Sequence, residues 1–522
     1  MNTRSLTLID SQDKTAEALA AFQRFLEGLK VPVPRQLILI NPQVVPEQFF
    51  DLHTARNRAY FGYPPVGLLY IAAVAKEINP GIEVRVLDLN YELLRRSQSD
   101  DFGYNVWKEI LSETISACDA PHIGVTYMFG TTKENYVDVS SFIRENFPGL
   151  PLLTGGVQAT YDYKEILERD LCDIVFRNEG ELQFKSFLES CIAGKPVDAP
   201  WGCAFKQDGV IHELGESQKD VPMDWDIRPF YDQLDISKYH QVSALGFSRF
   251  NGAEKSFATV ITNRGCRARC TFCTVRDFNG FGIRLRSVDN VVDEVKFLLR
   301  EKGVEQIDFL DDDMLWNPKR AVELLQRLAA EVPELVWTSS NGLIAAPITE
   351  ELMHWMAESG LTAFKIGIES GNDQMLHLIK KPTTKPKLRE KRELFRKYPD
   401  VFVVANFIIG FPNETFSQMM DSFNFAAELK WDWCTWNICQ PLKGTEVWSA
   451  FRELGDDRCD EDAYTNTLNP GRSAPKAEVG YVFAGNRADL RTGMDIFDLP
   501  YDEVPSSDQL REIWFTFNLV TN

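Results

Sequence analysis

Hydrophobic positions along the chain form two series in which short apolar runs alternate with amphipathic segments. In the first series, apolar runs predict strands over residues 37–40, 84–89, 123–128, 152–154 and 173–176. Helical spacing follows each run, over residues 66–78, 104–118, 134–147, 164–170 and 181–192. Strands that alternate with helices indicate a parallel sheet covered by helices on both faces. An amphipathic helix over residues 13–30 is expected to pack on this domain as an appendage.

The second series begins near residue 256. Its apolar runs predict strands over residues 258–262, 306–310, 335–339, 363–367, 403–409 and 433–438. The helices that follow are expected over residues 288–302, 318–332, 349–359, 373–379 with 385–397, and 415–429. Six strand–helix units in a row predict a second α/β domain.

These patterns divide the chain into five segments. We expect an N-terminal helix over residues 1–35, a first domain over 36–200, a hairpin and linker over 201–255, a second domain over 256–449, and a C-terminal region over 450–522 that helps to build a substrate pocket. The hairpin is expected around Asp208 and Gly209, because this residue pair favours tight turns between strands.

Composition excludes several classes of function. A net charge of −20 over 522 residues argues against binding to nucleic acid or to an anionic membrane. No apolar run reaches the ~18 residues of a membrane span. Residues 1–10 lack the pattern of a signal peptide, and seven of the ten cysteines are scattered. The sequence therefore predicts a protein of the reducing cytoplasm.

Three cysteines, Cys266, Cys270 and Cys273, follow the first strand of the second series with C-x3-C-x2-C spacing. Three thiolates can hold a four-iron cluster and leave one iron without a protein ligand, so that the open iron can chelate a small molecule. A zinc site would need a fourth ligand, and no second paired motif lies nearby. Buried structural cysteines are the other alternative, but arginines crowd the motif and suit an anionic cluster.

The spacing and its place after a strand resemble the radical S-adenosylmethionine (SAM) enzymes. The resemblance implies a partial (β/α)6 barrel whose strands carry SAM-binding residues at their carboxyl ends. The positions it implies are Phe272, Asp311, Asp312, Asp313, Asn341, Glu369, Ser370, Ile409, Gly410 and Phe411.

Each of these positions has an expected role by the same resemblance. The backbone of Phe272 would contact adenine, an acid among residues 311–313 would accept from the SAM amino group, Glu369 or Ser370 would bond the ribose, and residues 409–411 would pack on adenine. The family's pattern has Gly where Asn406 stands, which weakens the last assignment. A helix N-terminal charge cluster remains an alternative for the three aspartates.

The first domain resembles the cobalamin-binding domain that precedes many radical SAM domains. The resemblance rests on Pro-Pro-Val-Gly-Leu, Gly-Gly-Val-Gln-Ala-Thr and Glu-Gly-Glu, in that order. It implies cobalamin contacts at Asn41, Pro65, Gly67, Thr126, Tyr127, Gly155, Gly156, Val157, Gln158, Glu179 and Gly180. The D-x-H-x-x-G signature for an axial histidine is absent, and His53 imitates only half of it. No G-x-G-x-x-G follows the first strand, which argues against a dinucleotide.

Taken together, the resemblances imply a cobalamin-dependent radical SAM methyltransferase. Such an enzyme would use a [4Fe-4S] cluster, SAM and cobalamin to methylate an unactivated carbon of a small-molecule substrate through a 5′-deoxyadenosyl radical. It would take electrons from a reductase such as flavodoxin or ferredoxin. A cobalamin-dependent cyclase or rearrangement enzyme would share every motif. A methylthiotransferase would need a second cysteine trio, and an electron carrier would not need polar strand ends.

Overall fold

The structure is a computed structural model that describes residues 4–197, 200–216, 221–247, 251, 254–455, 459 and 499–522. It divides into two compact units, Met1–Ser243 and Ala244–Asn522. Most of the expected C-terminal pocket region lies outside the described residues. In the described ranges, no helix combines the length and the apolar character needed to cross a membrane.

The first unit is built on a seven-stranded sheet. Its strands are β1 (Gln36–Asn41), β2 (Glu83–Asp88), β3 (His122–Thr126), β4 (Leu152–Gly155), β5 (Ile174–Phe176), β6 (Cys203–Gln207) and β7 (Val210–Leu214). The strand order is β2-β1-β3-β4-β5-β6-β7, and the first five strands are parallel. The predicted hairpin forms as β6 and β7. It pairs antiparallel with β5 and so extends the sheet, because its apolar face continues the core.

Eight helices of the described residues belong to this unit. They are α1 (Arg4–Gly28), α2 (Leu52–Arg56), α3 (Val66–Ile78), α4 (Leu89–Arg96), α5 (Val106–Ser116), α6 (Lys133–Asn146), α7 (Val157–Glu168) and α8 (Glu181–Ala193). The N-terminal helix packs on the hairpin, where the ring of Phe22 lies 5.4 Å from that of Phe205. The sheet core is apolar on both faces, as predicted.

Helix α2 is not in the sequence prediction, and two further differences have local reasons. The prediction left α4 out and ended the second strand at Leu89, but Asp88 caps a helix there by accepting hydrogen bonds from the amides of Asn90 and Tyr91. Helix α7 starts seven residues earlier than predicted. It begins directly after Gly156, whose φ of +120° allows a sharp turn out of β4.

The second unit contains a six-stranded parallel sheet in the order β15-β14-β13-β12-β11-β8. Its strands are β8 (Phe257–Val260), β11 (Gln306–Phe309), β12 (Trp337–Leu343), β13 (Leu361–Glu369), β14 (Phe402–Ile409) and β15 (Trp433–Ile438). The strands follow one another in chain order, as in an open barrel. The α/β fold class and both parallel sheets are therefore confirmed. A short antiparallel pair, β9 (Asn263–Arg264) and β10 (Arg284–Leu285), flanks the cysteine motif.

Helices connect these strands on one side. They are α9 (Val275–Asn279), α10 (Val288–Arg300), α11 (Pro318–Glu331), α12 (Glu350–Glu358), α13 (Asp373–Leu378), α14 (Lys385–Phe395), α15 (Phe416–Leu429), α16 (Glu446–Leu454) and α17 (Ser507–Val520). Side-chain caps start most of them; for example, Ser287 accepts from the amide of Asn290, and Thr415 forms a capping box with Gln418.

The edge strand β15 is covered by side chains from the last helix and the residues after it. The amide of Asn522 both accepts from the backbone N–H of Cys434 and donates to its carbonyl, each at 2.8 Å. Asn518 makes the same pair of bonds with Trp436, at 3.1 and 3.3 Å. Two asparagine amides thus take the place of a seventh strand and satisfy an edge that would otherwise be open.

Candidate functional site

The three cysteines lie in the loop between β9 and α9, at the carboxyl end of β8. Cys266 and Cys270 are half-buried and Cys273 is exposed as a residue, and none of the three forms a disulfide. Burial raises the pKa of the Cys266 thiol to about 11 and that of Cys273 to about 12. Both side chains therefore remain thiols at neutral pH until a metal displaces the proton.

The predicted aspartate triplet, which follows β11, holds this loop in place. Asp311 accepts hydrogen bonds from the backbone amides of Thr262 (2.8 Å) and Asn263 (2.7 Å). Asp312 accepts from the amide of Gly265 at 3.3 Å. The bonds arise because the ends of the neighbouring strands β8 and β11 meet at one edge of the sheet.

Asp313 adds a bidentate ion pair to these hydrogen bonds, and we call the three aspartates together with Arg267 the clamp of the cysteine loop. Its side chain is fully buried and accepts two hydrogen bonds from the guanidinium of Arg267, at 2.6 and 2.7 Å. Arg267 follows Cys266 directly in sequence. The triplet was expected to bind SAM, and in this structure the first and third aspartates are engaged mainly by the protein. Only Oδ2 of Asp311 is buried without a partner, which leaves one carboxylate oxygen able to accept from a ligand.

A buried ion pair that the sequence did not indicate lies beside Cys270. The Nζ of Lys381 is 2.8 Å from the carboxylate of Glu369, and both side chains are largely buried. Burial alone lowers the pKa of Lys381, but the carboxylate of Glu369 and the ionised forms of Cys270 and Cys266 outweigh it and raise the pKa. Lys381 therefore supplies a fixed positive charge at the cysteine loop. It follows α13 in an ordinary Lys-Lys-Pro stretch, so no sequence signal marked it.

The aromatic residues predicted to contact adenine come together. The rings of Phe272 and Phe411 lie 5.7 Å apart, inside a cluster that includes Met375, Val447 and Phe451. Ile409 is buried at the end of β14. Gly410 follows with a φ of +78°, and the buried carboxylate of Glu414 accepts from the amides of Gly410 and Phe411 at 2.7 and 3.1 Å. This turn is rigid and apolar, as a site for a flat ring requires.

The remaining predicted SAM residues differ in their exposure and in how many hydrogen bonds they make within the protein. Asn341 is exposed and donates to the carbonyls of Leu310 and Asp311. Ser370 is fully buried, and its hydroxyl bonds to Ser422 at 3.1 Å and accepts from the amide of Asn372. Glu369 has a φ of +69°, an uncommon conformation for a residue other than glycine. Such strain is typical of residues held for a function.

The donor set fits an iron–sulfur cluster better than a single metal ion. Among the described residues, no three side chains of His, Cys, Asp or Glu converge closely enough to bind one ion, and this includes the three cysteines. A four-iron cluster takes each cysteine on a different iron, so its ligands need not converge. The zinc alternative still lacks a fourth ligand at paired spacing in the sequence.

In the first unit, the predicted cobalamin residues gather at the carboxyl edge of the sheet. Register aligns Ile40 with Val125 and Thr126 with Gly155, so the ends of β1, β3 and β4 are level. The chain proceeds from β1 to β2 on one side and continues from β3 to β5 on the other. The crevice between β1 and β3 is therefore the switch point at which ligands bind in such sheets.

Exposed apolar side chains surround this edge. Tyr63 is 40% exposed, Met128 is 40% exposed and Phe129 is 58% exposed. Large apolar side chains are rarely left together in solvent unless a ligand or partner covers them. The cobalamin contacts that the resemblance implies did not include these three residues, although Met128 and Phe129 directly follow the predicted Thr126 and Tyr127. This edge fits a broad ligand with a flat, partly apolar face, such as a corrin.

Three of the predicted cobalamin residues have internal roles. Tyr127 stacks on Tyr136 at 4.6 Å and donates to Asp162, so its side chain faces the core. Gln158 donates to the same carboxylate at 2.9 Å. A Cβ at Gly156 would lie 2.6 Å from the carbonyl oxygen of Tyr127, so only glycine fits between the ends of β3 and β4. Val157 follows at the start of α7 and is half-buried.

The other predicted cobalamin positions lie at strand ends or helix starts. Asn41 donates to Asp88 at 2.9 Å, which ties the ends of β1 and β2 together. Pro65 caps α3 and Gly67 is exposed in its first turn, where an added Cβ would meet no protein atom within 4 Å. Glu179 is buried just before Gly180, which caps α8. Helix α8 begins after the carboxyl end of β5, and α3 begins in the connection that follows β1.

No histidine of the described first unit lies at the end of a parallel strand. His53 is exposed on α2 and contacts Asn57. His122 begins β3 at the opposite edge, where burial lowers its pKa to about 4. The arrangement agrees with the absence of the axial-histidine signature.

Comparisons with known proteins match both units. The B12 binding domain family matches residues 52–188, and the Radical SAM superfamily matches residues 260–426. An uncharacterized methyltransferase of Pyrococcus horikoshii is 28% identical over 74% of this chain and 78% of its own length. The cytidylyl-2-hydroxyethylphosphonate methyltransferase of Streptomyces wedmorensis is 29% identical over 78% of this chain and 81% of its own length.

Two further similarities are informative. The anaerobic magnesium-protoporphyrin IX monomethyl ester cyclase of Cereibacter sphaeroides is 25% identical, but the match covers only 60% of this chain and 50% of the cyclase. Among solved structures, the radical SAM methyltransferase TsrM of Kitasatospora setae, with cobalamin and a [4Fe-4S] cluster bound, has a similar fold. The TM-score is 0.62 at 17% identity, over 81% of this chain and 75% of TsrM.

The family matches and the site geometry agree on which cofactors the two units serve. A B12-binding domain precedes a radical SAM domain with its three-cysteine loop, and the relatives matched over most of their length are methyltransferases. The chain therefore contains a B12-binding domain followed by a radical SAM domain, and over most of its length it is similar to methyltransferases.

Proposed function

We propose that the protein methylates an unactivated carbon of a small-molecule substrate. The observation that carries the proposal is that one chain has a three-cysteine loop in one unit and a switch-point crevice in the other. Two relatives matched over 78% and 81% of their own length are named as methyltransferases, whereas the matched cyclases are 23–25% identical over 50–65% of their own length. A bound cluster would supply the electron that cleaves SAM, and cobalamin would supply the methyl group.

The chain's own residues would bind and orient these groups. Cys266, Cys270 and Cys273 would hold the cluster and leave one iron open for SAM. The backbone of Phe272 would contact adenine, residues 409–411 would pack on it, and the free oxygen of Asp311 would accept from the SAM amino group. The surrounding apolar side chains would keep water away from reactive species.

In the first unit, the strand ends and exposed apolar side chains would support one face of the corrin. Thr126 and Gly155 would approach it through their backbone, and Met128 and Phe129 would cover apolar surface. No protein histidine would ligate the cobalt. Cobalamin bound at these strand ends would supply the methyl group without a histidine ligand from them.

Analysis of by-products tests the reaction. With an anaerobically reconstituted protein and its substrate, we expect one 5′-deoxyadenosine and one S-adenosylhomocysteine for each methylated product. A product that lacks an added methyl group, formed with 5′-deoxyadenosine alone, would replace methyl transfer by cyclisation or rearrangement. In either case the electron would come from an external reductant such as flavodoxin or ferredoxin.

A further inference from the structure

The stretch that carries the cysteines is strongly basic, in contrast to the rest of the chain. Residues 264–286 contain six arginines and one acidic residue, whereas the whole chain has a net charge of −20. Two of these arginines are used within the fold: Arg267 pairs with Asp313, and the buried Arg286 pairs with Glu294. The positive charge of Arg276 has a different explanation.

Two exposed aromatic side chains near the motif contact arginines. Phe281 is 74% exposed, more than any other large apolar side chain in the described ranges, and the guanidinium of Arg276 lies 4.2 Å from its ring centre. Trp316 is 43% exposed, and Arg267 lies 5.0 Å from its ring centre. Arginine over an exposed aromatic ring is typical of surfaces that bind a partner.

Other cations of this surface have no acidic partner. Neither Arg276 nor the exposed Lys319 forms an ion pair with a carboxylate of the described residues. Asn279, between Arg276 and Phe281, bonds to Asp312, which joins this segment to the loop that carries Trp316. We define the basic aromatic patch as Arg276, Phe281, Trp316 and Lys319.

The patch is continuous with the cysteine loop. Cys273 is three residues from Arg276 and is the most accessible of the three cysteines. An electron donor seated on the patch would therefore be close to a ligand of the cluster.

From these observations we infer that the basic aromatic patch is the docking surface for an acidic one-electron donor protein. The inference rests on the proposed function, which requires an external reductant. An acidic donor is repelled by most of a chain with net charge −20 and attracted where positive charge is concentrated, so the patch steers it toward Cys273. One electron leaves the donor's reduced flavin and enters the oxidised cluster, and no covalent bond forms or breaks.

The test uses purified flavodoxin as the donor and the reconstituted full chain. The first variant is the double substitution Arg276→Glu with Lys319→Glu, and the second is Phe281→Ser, which leaves charge unchanged. A matched control is Lys164→Glu with Lys195→Glu, which changes net charge equally on exposed lysines of the first unit. Lys164 also lies over an aromatic ring, that of Tyr163, at 5.6 Å.

Two quantities are measured for each protein: the Kd for flavodoxin by calorimetry at low and high salt, and the rate of cluster reduction. We expect the double variant to weaken flavodoxin binding and slow its electron transfer by about tenfold or more at low salt, and to lose most of the salt dependence. Phe281→Ser weakens binding at both salt concentrations. Reduction by dithionite, a small reagent that needs no docking, stays within about twofold of the parent.

Several results would overturn the inference. One is an equal loss in the Lys164→Glu/Lys195→Glu control, and another is unchanged flavodoxin binding in both patch variants. Slower reduction by dithionite in the double variant would mean that these residues act on the cluster itself. The proposed function fails separately, if the parent protein with dithionite yields no 5′-deoxyadenosine from SAM while flavodoxin still binds the patch.

Discussion

Arg267 and Asp313 form a bidentate ion pair across the loop that carries the cysteines, with bond lengths of 2.6 and 2.7 Å. The carboxylate is fully buried, whereas the guanidinium retains 26% exposure and covers Trp316. The pair fixes the residue next to Cys266 to the end of β11. It therefore couples the position of one cluster ligand to the barrel.

Loss of this pair should destabilise the loop before it affects the rest of the fold. Arg267→Ala leaves the buried carboxylate of Asp313 without its cation, an effect of about 3–5 kcal/mol for a buried pair. We expect less iron per chain after reconstitution and a lower melting temperature. Arg300→Ala, which removes an exposed pair with Glu334, is the control and should change neither quantity. Normal iron content in Arg267→Ala would show that the loop does not depend on this clamp.

The cysteine assignment makes a second prediction. Cys270→Ala should remove most of the iron and reduce 5′-deoxyadenosine formation to background, because a cluster with two protein ligands is not retained. Cys118→Ala replaces a partly buried cysteine of the first unit and should leave both quantities unchanged. Formation of 5′-deoxyadenosine at the parent rate by Cys270→Ala would refute the cluster assignment.

The charge of Lys381 should set the reduction potential of the cluster. Lys381→Met removes a cation next to Cys270, so the reduced and more negative cluster loses stabilisation and the midpoint potential becomes more negative. Each kcal/mol of lost interaction corresponds to about 40 mV for a one-electron couple. The neighbouring Lys380, paired with Glu446 at the surface, provides the control Lys380→Met. Equal potentials for the two variants, from a redox titration followed by electron paramagnetic resonance, would contradict this role.

A substitution at Gly67 distinguishes a cobalamin contact from a structural residue. The position is exposed, and an added methyl group would meet no protein atom within 4 Å. Gly67→Ala should therefore leave the melting temperature unchanged and weaken cobalamin binding about tenfold, if the corrin covers the start of α3. Gly28→Ala, at an equally open position at the end of α1, is the control. Unchanged affinity in Gly67→Ala would remove α3 from the proposed site.

The buried Asp88 predicts a dependence of stability on pH. Burial raises its pKa to about 6, although hydrogen bonds from Tyr239 and Asn41 oppose the shift. Below the unfolded-state pKa of about 4, a carboxyl whose pKa is raised by folding does not change the free energy of unfolding. As the pH rises from 4 toward 6, it lowers the free energy of unfolding progressively. The difference amounts to about 3 kcal/mol.

The variant Asp88→Asn isolates this effect because asparagine does not titrate. As the pH rises from 4.5 to 7, the free energy of unfolding of the parent should fall relative to that of Asp88→Asn. Both free energies are obtained from the first unfolding transition in a chemical denaturation curve. A constant difference over this range would mean that Asp88 titrates near its ordinary pKa.

The amino-acid sequence by itself determined both parallel sheets, nearly every strand of them, and the cofactor motifs. This succeeded because strand and helix periodicities are local properties, and because the spacing of Cys266, Cys270 and Cys273 is a property of consecutive residues. The same holds for α3, which spans residues 66–78 as predicted. The pattern of apolar residues gave a wrong boundary where a helix cap ends the strand, as at Asp88.

Tertiary structure alone decided which side chains are available for ligands. In the sequence, nothing shows that Asp311 and Asp313 are unavailable to a ligand. Pairing of β8 with β11 brings both side chains to the cysteine loop. Contacts with the backbone and with Arg267 there use most of their hydrogen-bonding capacity. Lys381 carries no motif and reaches Glu369 and Cys270 only because the chain turns after α13. These contacts join residues far apart in sequence, and local patterns contain no information on which distant groups will meet and share burial.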